Sequence, residues 1–302
     1  MATPPLTTKA PRLTSQKALQ SIVHYYSEAS NEYEGWSSDF NMHFGYYEWG
    51  MNPFDRETML EKMNQRVFEV LGSHIPNKTF KHILDMGCGY GATTRSFANQ
   101  REVESVTGIT IAPNQVFEAQ QLAKEKHYDC TLTYIIDDYH HTQFDDATFD
   151  GIVAIESGCH SPEQDKATLL KEAYRLLKPN GSFVMADGFL KKDERLNPVM
   201  DYCYRKVCQH WALGEFGSIN QVKETMEALG YKDIKVEDAS MRVAPSVASI
   251  PLVATVYLLK RLIKGNNTSQ KWSHLLAPVF LLPLAFCLHR FGYYIISGRK
   301  PE

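Results

Sequence analysis

Leu84-Asp85-Met86-Gly87-Cys88-Gly89-Tyr90-Gly91 is the stretch from which the fold of this chain can be read. The strand-like run HILDMG (82–87) leads straight into glycines at alternate positions, and a helical pattern follows near 92–100. Glycine allows a tight turn and leaves space for a ligand where a Cβ would otherwise stand. The dinucleotide fingerprint GxGxxG does not fit, because the third glycine comes one residue early and Ala92 follows it. Asp85, two residues before the first glycine, suits a cationic amino acid better than a pyrophosphate. The strand-turn-helix context thus predicts a ligand site at Asp85, Gly87, Gly89 and Gly91.

Working outward from the turn, strand-like and helical patterns alternate. SVTGIT (105–110), TLTYII (131–136), FDGIVAIES (149–157) and SFVMADGF (182–189) read as strands, with helical segments near 113–127 and 163–177 between them. DIKVEDAS (233–240) and GYYIISGRK (292–300) read as two more. This alternation predicts an α/β fold: a Rossmann-like, seven-stranded, mostly parallel sheet with helices on both faces. Ligands of such sheets bind at the carboxyl ends of the strands. Upstream, Met59, Leu60, Met63, Val67 and Leu71 share one face of a predicted helix over 57–71. Residues 1–16 read as a flexible leader, 17–78 as a helical cap with an aromatic loop, and 79–242 as the core. An apolar helical lid is predicted over 243–290, inserted before a last strand and tail at 291–302.

Composition narrows the class. The chain has 302 residues, 43% hydrophobic and 22% charged, which is ordinary for a folded protein and unlike a disordered one. With 32 basic against 35 acidic residues and no basic run, nothing marks a nucleic-acid partner. The six cysteines form no CxxC pair, and no metal site is expected. His140-His141 read as loop residues, since chelation needs more ligands at set spacing. Cys88 reads as a small residue tolerated in the turn, since no basic partner lies near it in sequence. A polar, proline-rich N-terminus without an apolar signal core points to a cytoplasmic enzyme. Two uncharged stretches, 243–259 and 275–288, are interrupted by prolines and fall short of the roughly 18 to 20 residues needed to span a bilayer. They are expected to be buried or cap-forming, with peripheral membrane contact through 243–288 as the alternative.

The glycine motif and four later stretches together resemble the class I S-adenosylmethionine-dependent methyltransferases over most of the chain. Gly108-Ile109-Thr110-Ile111-Ala112-Pro113-Asn114-Gln115 looks like the second-strand segment of the cyclopropane-synthase, tocopherol and small-molecule branches. Ile136-Asp137-Asp138-Tyr139 looks like the acidic motif whose aspartate contacts adenine. Phe149-Asp150 with Ala154 to Pro162, AIESGCHSP, resembles sterol C-methyltransferases, and Leu176 to Gly181 resembles the turn before strand five. The resemblance implies S-adenosyl-L-methionine as cofactor, held by Asp85, Gly87, Gly89, Gly91, Thr110, Gln115, Asp138 and Tyr139. The chain departs from many members where Thr110 replaces an acidic residue facing the ribose. Asn41 to Tyr47, NMHFGYY, is similar to a loop that folds over the cofactor, which adds His43. His24-Tyr25-Tyr26 is similar to an upstream tyrosine segment, which adds Tyr26.

Methyl transfer to a heteroatom needs a general base, whereas transfer to an alkene carbon creates a carbocation, which needs aromatic faces and then a base. Tyr46, Tyr47 and Trp49 are expected to form the aromatic cage, and Glu156 and His160, ending strand four, to supply the base. The expected reaction is C-methylation of a lipophilic isoprenoid: a sterol, a prenyl chain or a prenyl diphosphate. Arg205, Arg242 and Arg290 are the candidates to hold a diphosphate. The alternatives are O- or N-methylation of a hydrophobic metabolite, and a non-catalytic cofactor-binding protein on the same fold.

Overall fold

A computed structural model describes residues 19–26, 36–75, 79–192, 194–250, 280–281, 283–284, 287 and 289–302. The leader 1–16 and residues 251–279 of the expected lid lie outside the described residues. Eight strands form one sheet: β1 (Ile83–Met86), β2 (Ser105–Thr110), β3 (Thr131–Ile136), β4 (Phe149–Ile155), β5 (Leu177–Leu190), β6 (Gly217–Ser218), β7 (Lys232–Asp238) and β8 (Phe291–Arg299). Six helices accompany them: α1 (Arg56–Gly72), α2 (Ala92–Ala98), α3 (Pro113–Lys124), α4 (Ala167–Leu176), α5 (Pro198–His210) and α6 (Ile219–Leu229). Residues 19–26 and 240–250 are helical as well.

The strand order is β3-β2-β1-β4-β5-β8-β7, with β6 paired to the end of β5. The order reverses between β1 and β4, which opens a crevice at their carboxyl ends. All pairings are parallel except those of β8, which runs antiparallel to both β5 and β7. The seven expected strands are present, and β6 is an addition of two residues. The turn expected at Lys178 to Gly181 lies within β5 as a bulge: Asn180 adopts φ 64°, and the pairing jumps from Phe149↔Leu177 to Gly151↔Ser182.

Each face of the sheet is covered by helices whose apolar stripes the sequence shows. Leu169, Leu170, Ala173 and Leu176 of α4 and Val222 and Met226 of α6 cover one face. Met63, Val67 and Leu71 of α1, with Phe97 of α2, cover the other. The α1 helix begins at Asp55, whose carboxylate accepts hydrogen bonds from the Thr58 N–H at 3.2 Å and hydroxyl at 2.7 Å, the usual way to satisfy an open helix end. Residues 240–250 follow β7 and seat Val243 and Val247 against the α1 side of the core. Met63 is fully buried in that layer. Met63→Ala removes a filled core volume and should lower unfolding stability by about 2 to 4 kcal/mol, read from urea denaturation midpoints.

Candidate active site

The crevice between β1 and β4 is a cavity of about 360 Å³. Its floor is the glycine turn, where Gly87, Gly89 and Gly91 have φ of 86°, 52° and 74°, the left-handed region that other residues avoid. A Cβ on Gly87 would lie 2.4 Å from the Ser157 Cβ, and one on Gly89 would lie 2.6 Å from the Met42 sulfur. Gly87 and Gly89 line the cavity, whereas Gly91 turns the chain into α2 against the Tyr134 ring. The backbone N–H groups of Gly87 and Cys88 both donate to the Ile109 carbonyl at 2.9 Å, which pins the turn to β2.

Asp85, Thr110, Gln115, Asp138 and Tyr139 are brought together around this floor. Burial pushes the Asp85 carboxyl up to about 7, against a hydrogen bond from the Thr94 hydroxyl. The Thr110 hydroxyl donates to the Gln115 side-chain oxygen at 2.7 Å, so the two act as one polar unit at the end of β2. Burial acts to raise the Asp138 carboxyl, but hydrogen bonds from the ring and backbone of His140 outweigh it and hold it below the ordinary value. The Tyr139 hydroxyl donates to the Ser157 carbonyl at 2.7 Å and so faces protein. His140, in a turn as expected of a loop residue, also lines the cavity and braces Asp138. The Cys88 thiol is pushed up by burial and stays protonated at neutral pH.

The loop over the turn hangs from a buried asparagine. Asn64, fully buried on α1, accepts from the Thr93 hydroxyl at 2.8 Å and donates to the Asn41 side chain at 3.0 Å. His43 lines the cavity, but its ring nitrogens lie 3.0 Å from the Phe44 carbonyl and 3.0 Å from the Asn64 oxygen. The ring therefore anchors the loop. A polar residue beside the apolar stripe Leu60, Met63, Val67 was the available signal for Asn64. From above, Leu19, Ile22 and Tyr26 of the helical segment 19–26 close the cavity with one face.

At the end of β4, Glu156 adopts φ 46° and turns its carboxyl into the site. Burial pushes that carboxyl up to about 8, although it accepts from the Phe44 N–H at 2.6 Å and the Tyr293 hydroxyl at 3.0 Å. His160 lies 3.1 Å from the Ala212 carbonyl through Nδ1, and a carbonyl only accepts, so Nδ1 carries the proton. Nε2 is then the acceptor for the Tyr26 hydroxyl at 2.6 Å. Burial lowers this imidazole to about 4, which keeps it neutral. Tyr293, on β8, has no sequence signal linking it to Glu156 across 137 positions.

The expected cage of Tyr46, Tyr47 and Trp49 is corrected by the structure: none of these residues lines the cavity. Tyr46 donates to Glu237 at 2.8 Å, an ion-paired carboxylate 2.7 Å from Arg66, and packs in the core. The Tyr47 N–H donates to the Arg242 carbonyl at 2.8 Å, and Trp49 is 87% exposed. Phe44 meets Glu156 through its backbone N–H, while the Tyr46 side chain is spent on Glu237 and the core. The aromatic rings that do line the cavity are those of Tyr26, Phe40 and Tyr139, whereas Phe44 and Tyr293 reach Glu156 through a backbone N–H and a hydroxyl.

The matching family model is the methyltransferase domain, over residues 83–181. The 2-methyl-6-phytyl-1,4-hydroquinone methyltransferase of Synechocystis sp. is 31% identical, over 71% of this chain and 68% of that protein. The chain belongs to the class I S-adenosylmethionine-dependent methyltransferases. Tocopherol O-methyltransferase of Arabidopsis thaliana is 28% identical over 95% of this chain and 84% of its own. The cyclopropane synthase MmaA2 of Mycobacterium tuberculosis superposes with a TM-score of 0.78 at 16% identity, covering 93% of this chain and 98% of that one, and shows the shared fold.

The residues of the methyltransferase fit its cofactor, S-adenosylmethionine. A Cβ on Gly87 or Gly89 would collide with Ser157 or Met42 of the cavity wall, and the rim carries acceptors for a cationic group (Asp85), hydroxyls (Thr110, Gln115) and an amine (Asp138). When bound, the cofactor supplies an electrophilic methyl group on a positively charged sulfur. Gly89→Val should abolish binding in calorimetry while the far-UV spectrum is kept. Asp85 gives a pH dependence. At pH 6 a carboxyl titrating at about 7 is mostly neutral, and at pH 8 it is mostly charged. A cationic ligand favours the charged form, so cofactor affinity should rise from pH 6 to pH 8. Asp85→Asn should bind more weakly and flatten that rise. A flat wild-type profile would remove Asp85 from the cation's surroundings.

Proposed function

We propose that this methyltransferase methylates a π-bonded carbon in a neutral, lipophilic isoprenoid, with Glu156 as the base that removes a proton. The observation that carries the reading is the Glu156 carboxyl itself: it stands in the cavity at the end of β4, raised to about 8, in a lining that also carries the rings of Tyr26, Phe40 and Tyr139. A new carbon–methyl bond would take the acceptor's π electrons as the methyl's bond to the sulfonium sulfur breaks, with that electron pair kept by the sulfur, and would leave a cationic carbon beside it. Electron-rich rings favour such a cation, by about 2 kcal/mol or more each where water is excluded. Glu156 then takes a proton from the neighbouring carbon, and that C–H electron pair restores the double bond. The positive charges of cofactor and cation both favour the carboxylate form that this step requires.

A neutral acceptor is supported by the lining, which carries Asp85, Asp138, Glu156 and Glu163 but no Lys or Arg among the described residues. Arg205 pairs with Asp201, Arg290 with Glu194, and Arg242 lies over the Tyr46 ring. None of them lines the cavity, so nothing there supports a diphosphate. The lipophilic character is supported by the apolar cover from Leu19 and Ile22 and by relatives named for a phytyl hydroquinone and for tocopherol.

One observation favours a second reading, O-methylation. The Tyr26 hydroxyl sits on the Nε2 lone pair of His160, where an acceptor hydroxyl would find a base. The two readings separate by mutation and product. Glu156→Gln should lower turnover by about a hundredfold or more with little change in cofactor affinity, and mass spectrometry should place a labelled methyl on carbon. Sterols, prenylated phenols and prenyl diphosphates form the panel. A methyl on oxygen, with His160→Gln the more damaging change, would establish the second reading.

A further inference from the structure

Lys166 is almost fully buried, at 1% exposure, which lysine seldom is without a carboxylate partner. Among the described residues it forms no ion pair, and the nearby Asp187 carboxylate acts on it only through space. Its ammonium donates to two backbone carbonyls, Ser161 at 2.8 Å and Glu215 at 2.6 Å. Its backbone is left-handed, with φ 54°, an uncommon state for a long side chain. A residue so placed is held there by its surroundings.

Those surroundings form a seam. One side is the loop 158–164, which carries His160; the other is the segment 212–218 that follows α5. The Gly214 N–H donates to the Cys159 carbonyl at 3.0 Å, and the Ser218 N–H to the Gln164 carbonyl at 2.8 Å. Between them His160 Nδ1 donates to the Ala212 carbonyl at 3.1 Å. Lys166, which caps α4, bonds to both sides of the seam at once. The carbonyl that fixes the His160 proton on Nδ1 thus belongs to a segment that the Lys166 ammonium holds in place. Which nitrogen of a histidine carries the proton is set by the bond the other makes.

We infer that Lys166 is a positioning residue: it holds the seam between 158–164 and 212–218 and thereby fixes the His160 tautomer that turns the Nε2 lone pair toward Tyr26. The catalytic consequence rests on the acceptor-side placement of His160, whereas the tautomer is readable without any acceptor. The experiment is ¹⁵N NMR of histidine-labelled full chain, with the His160 signals assigned by their loss in His160→Gln. Wild type should show His160 protonated on Nδ1 alone. Lys166→Met keeps the length of the side chain and removes the ammonium; it should give mixed Nδ1 and Nε2 protonation while S-adenosylmethionine affinity stays within a factor of about two. Lys166→Arg should restore the Nδ1 form at least in part. Gly214→Ala opens the same seam with the ammonium intact, because the new Cβ would lie 2.9 Å from the Ser161 carbonyl oxygen, and should mix the tautomers too. It decides the matter if Lys166→Met does not fold. A His160 that stays purely Nδ1-protonated in every folded variant would overturn the inference. Mixed tautomers with unchanged turnover would uphold the seam and remove His160 from the acceptor reading.

Discussion

Three adjacent strands each bring a carboxyl to the carboxyl edge of the sheet: Asp85 on β1, Glu156 after β4 and Asp187 on β5. Burial raises all three, to about 7, 8 and 6. Burying a carboxyl without a cationic partner opposes ionisation, and the group keeps its proton longer. The lining of the cavity offers Asp85 and Glu156 no lysine or arginine to relieve this, while Asp187, outside that lining, is partly relieved by the Lys166 ammonium. Within the described lining the edge is an acidic slot, and a sulfonium ligand brings the missing positive charge. Perturbed carboxyls gathered in one crevice mark a functional site more strongly than any one of them alone.

The slot can persist because hydrogen bonds replace ion pairs. Asp187 accepts from the Cys159 and Gly188 N–H groups at 2.8 and 2.7 Å. Glu156 accepts from a backbone N–H and from Tyr293. Such bonds hold a carboxyl in place in either protonation state, so its charge can respond to what enters the cavity. A lysine beside Glu156 would ionise it permanently and repel a cationic ligand. Basic groups around this edge keep other partners: Lys166 spends its donors on carbonyls, Arg95 donates to the Tyr90 and Asp39 carbonyls, and Arg66 is taken by Glu237.

The elements that depend on local pattern were legible in the sequence. The strand runs, the alternate glycines and the apolar face of α1 each follow from a few adjacent residues, and their spacing carries the information. The lining positions Asp85 and Glu156 were legible because they sit at strand ends that the pattern locates, and Thr110, Gln115 and Asp138 through the family resemblance of their segments. Tyr293 and Lys166 were not, since each is defined by a partner on another element. Asn64 was half-visible: its polarity stands out, but its partners at Asn41, His43 and Thr93 come from three different segments. The aromatic run from Phe44 to Trp49 misled for a physical reason. Aromatic composition marks apolar demand without saying on which side of the chain it is met.

That run shows how one loop serves both site and core. The Gly45 N–H donates to the Ser246 hydroxyl at 2.9 Å, and the Tyr46 N–H to the Met59 carbonyl at 2.8 Å. A Cβ on Gly45 would lie 2.5 Å from that of Met59, so the loop touches α1 as closely as a backbone can. Contact at this range fixes the side on which each neighbour emerges. The Phe44 N–H is then delivered to Glu156, and the Tyr46 hydroxyl to the Glu237–Arg66 pair. On α1, Met59 holds this loop, Asn64 holds the loop over the glycine turn, and Met63 and Val67 face the sheet. A shift of α1 would therefore move the cofactor cover and the Phe44 N–H that binds Glu156 together. The cap is in this sense a working part of the site, coupled to it through one helix whose apolar stripe sets its position on the sheet.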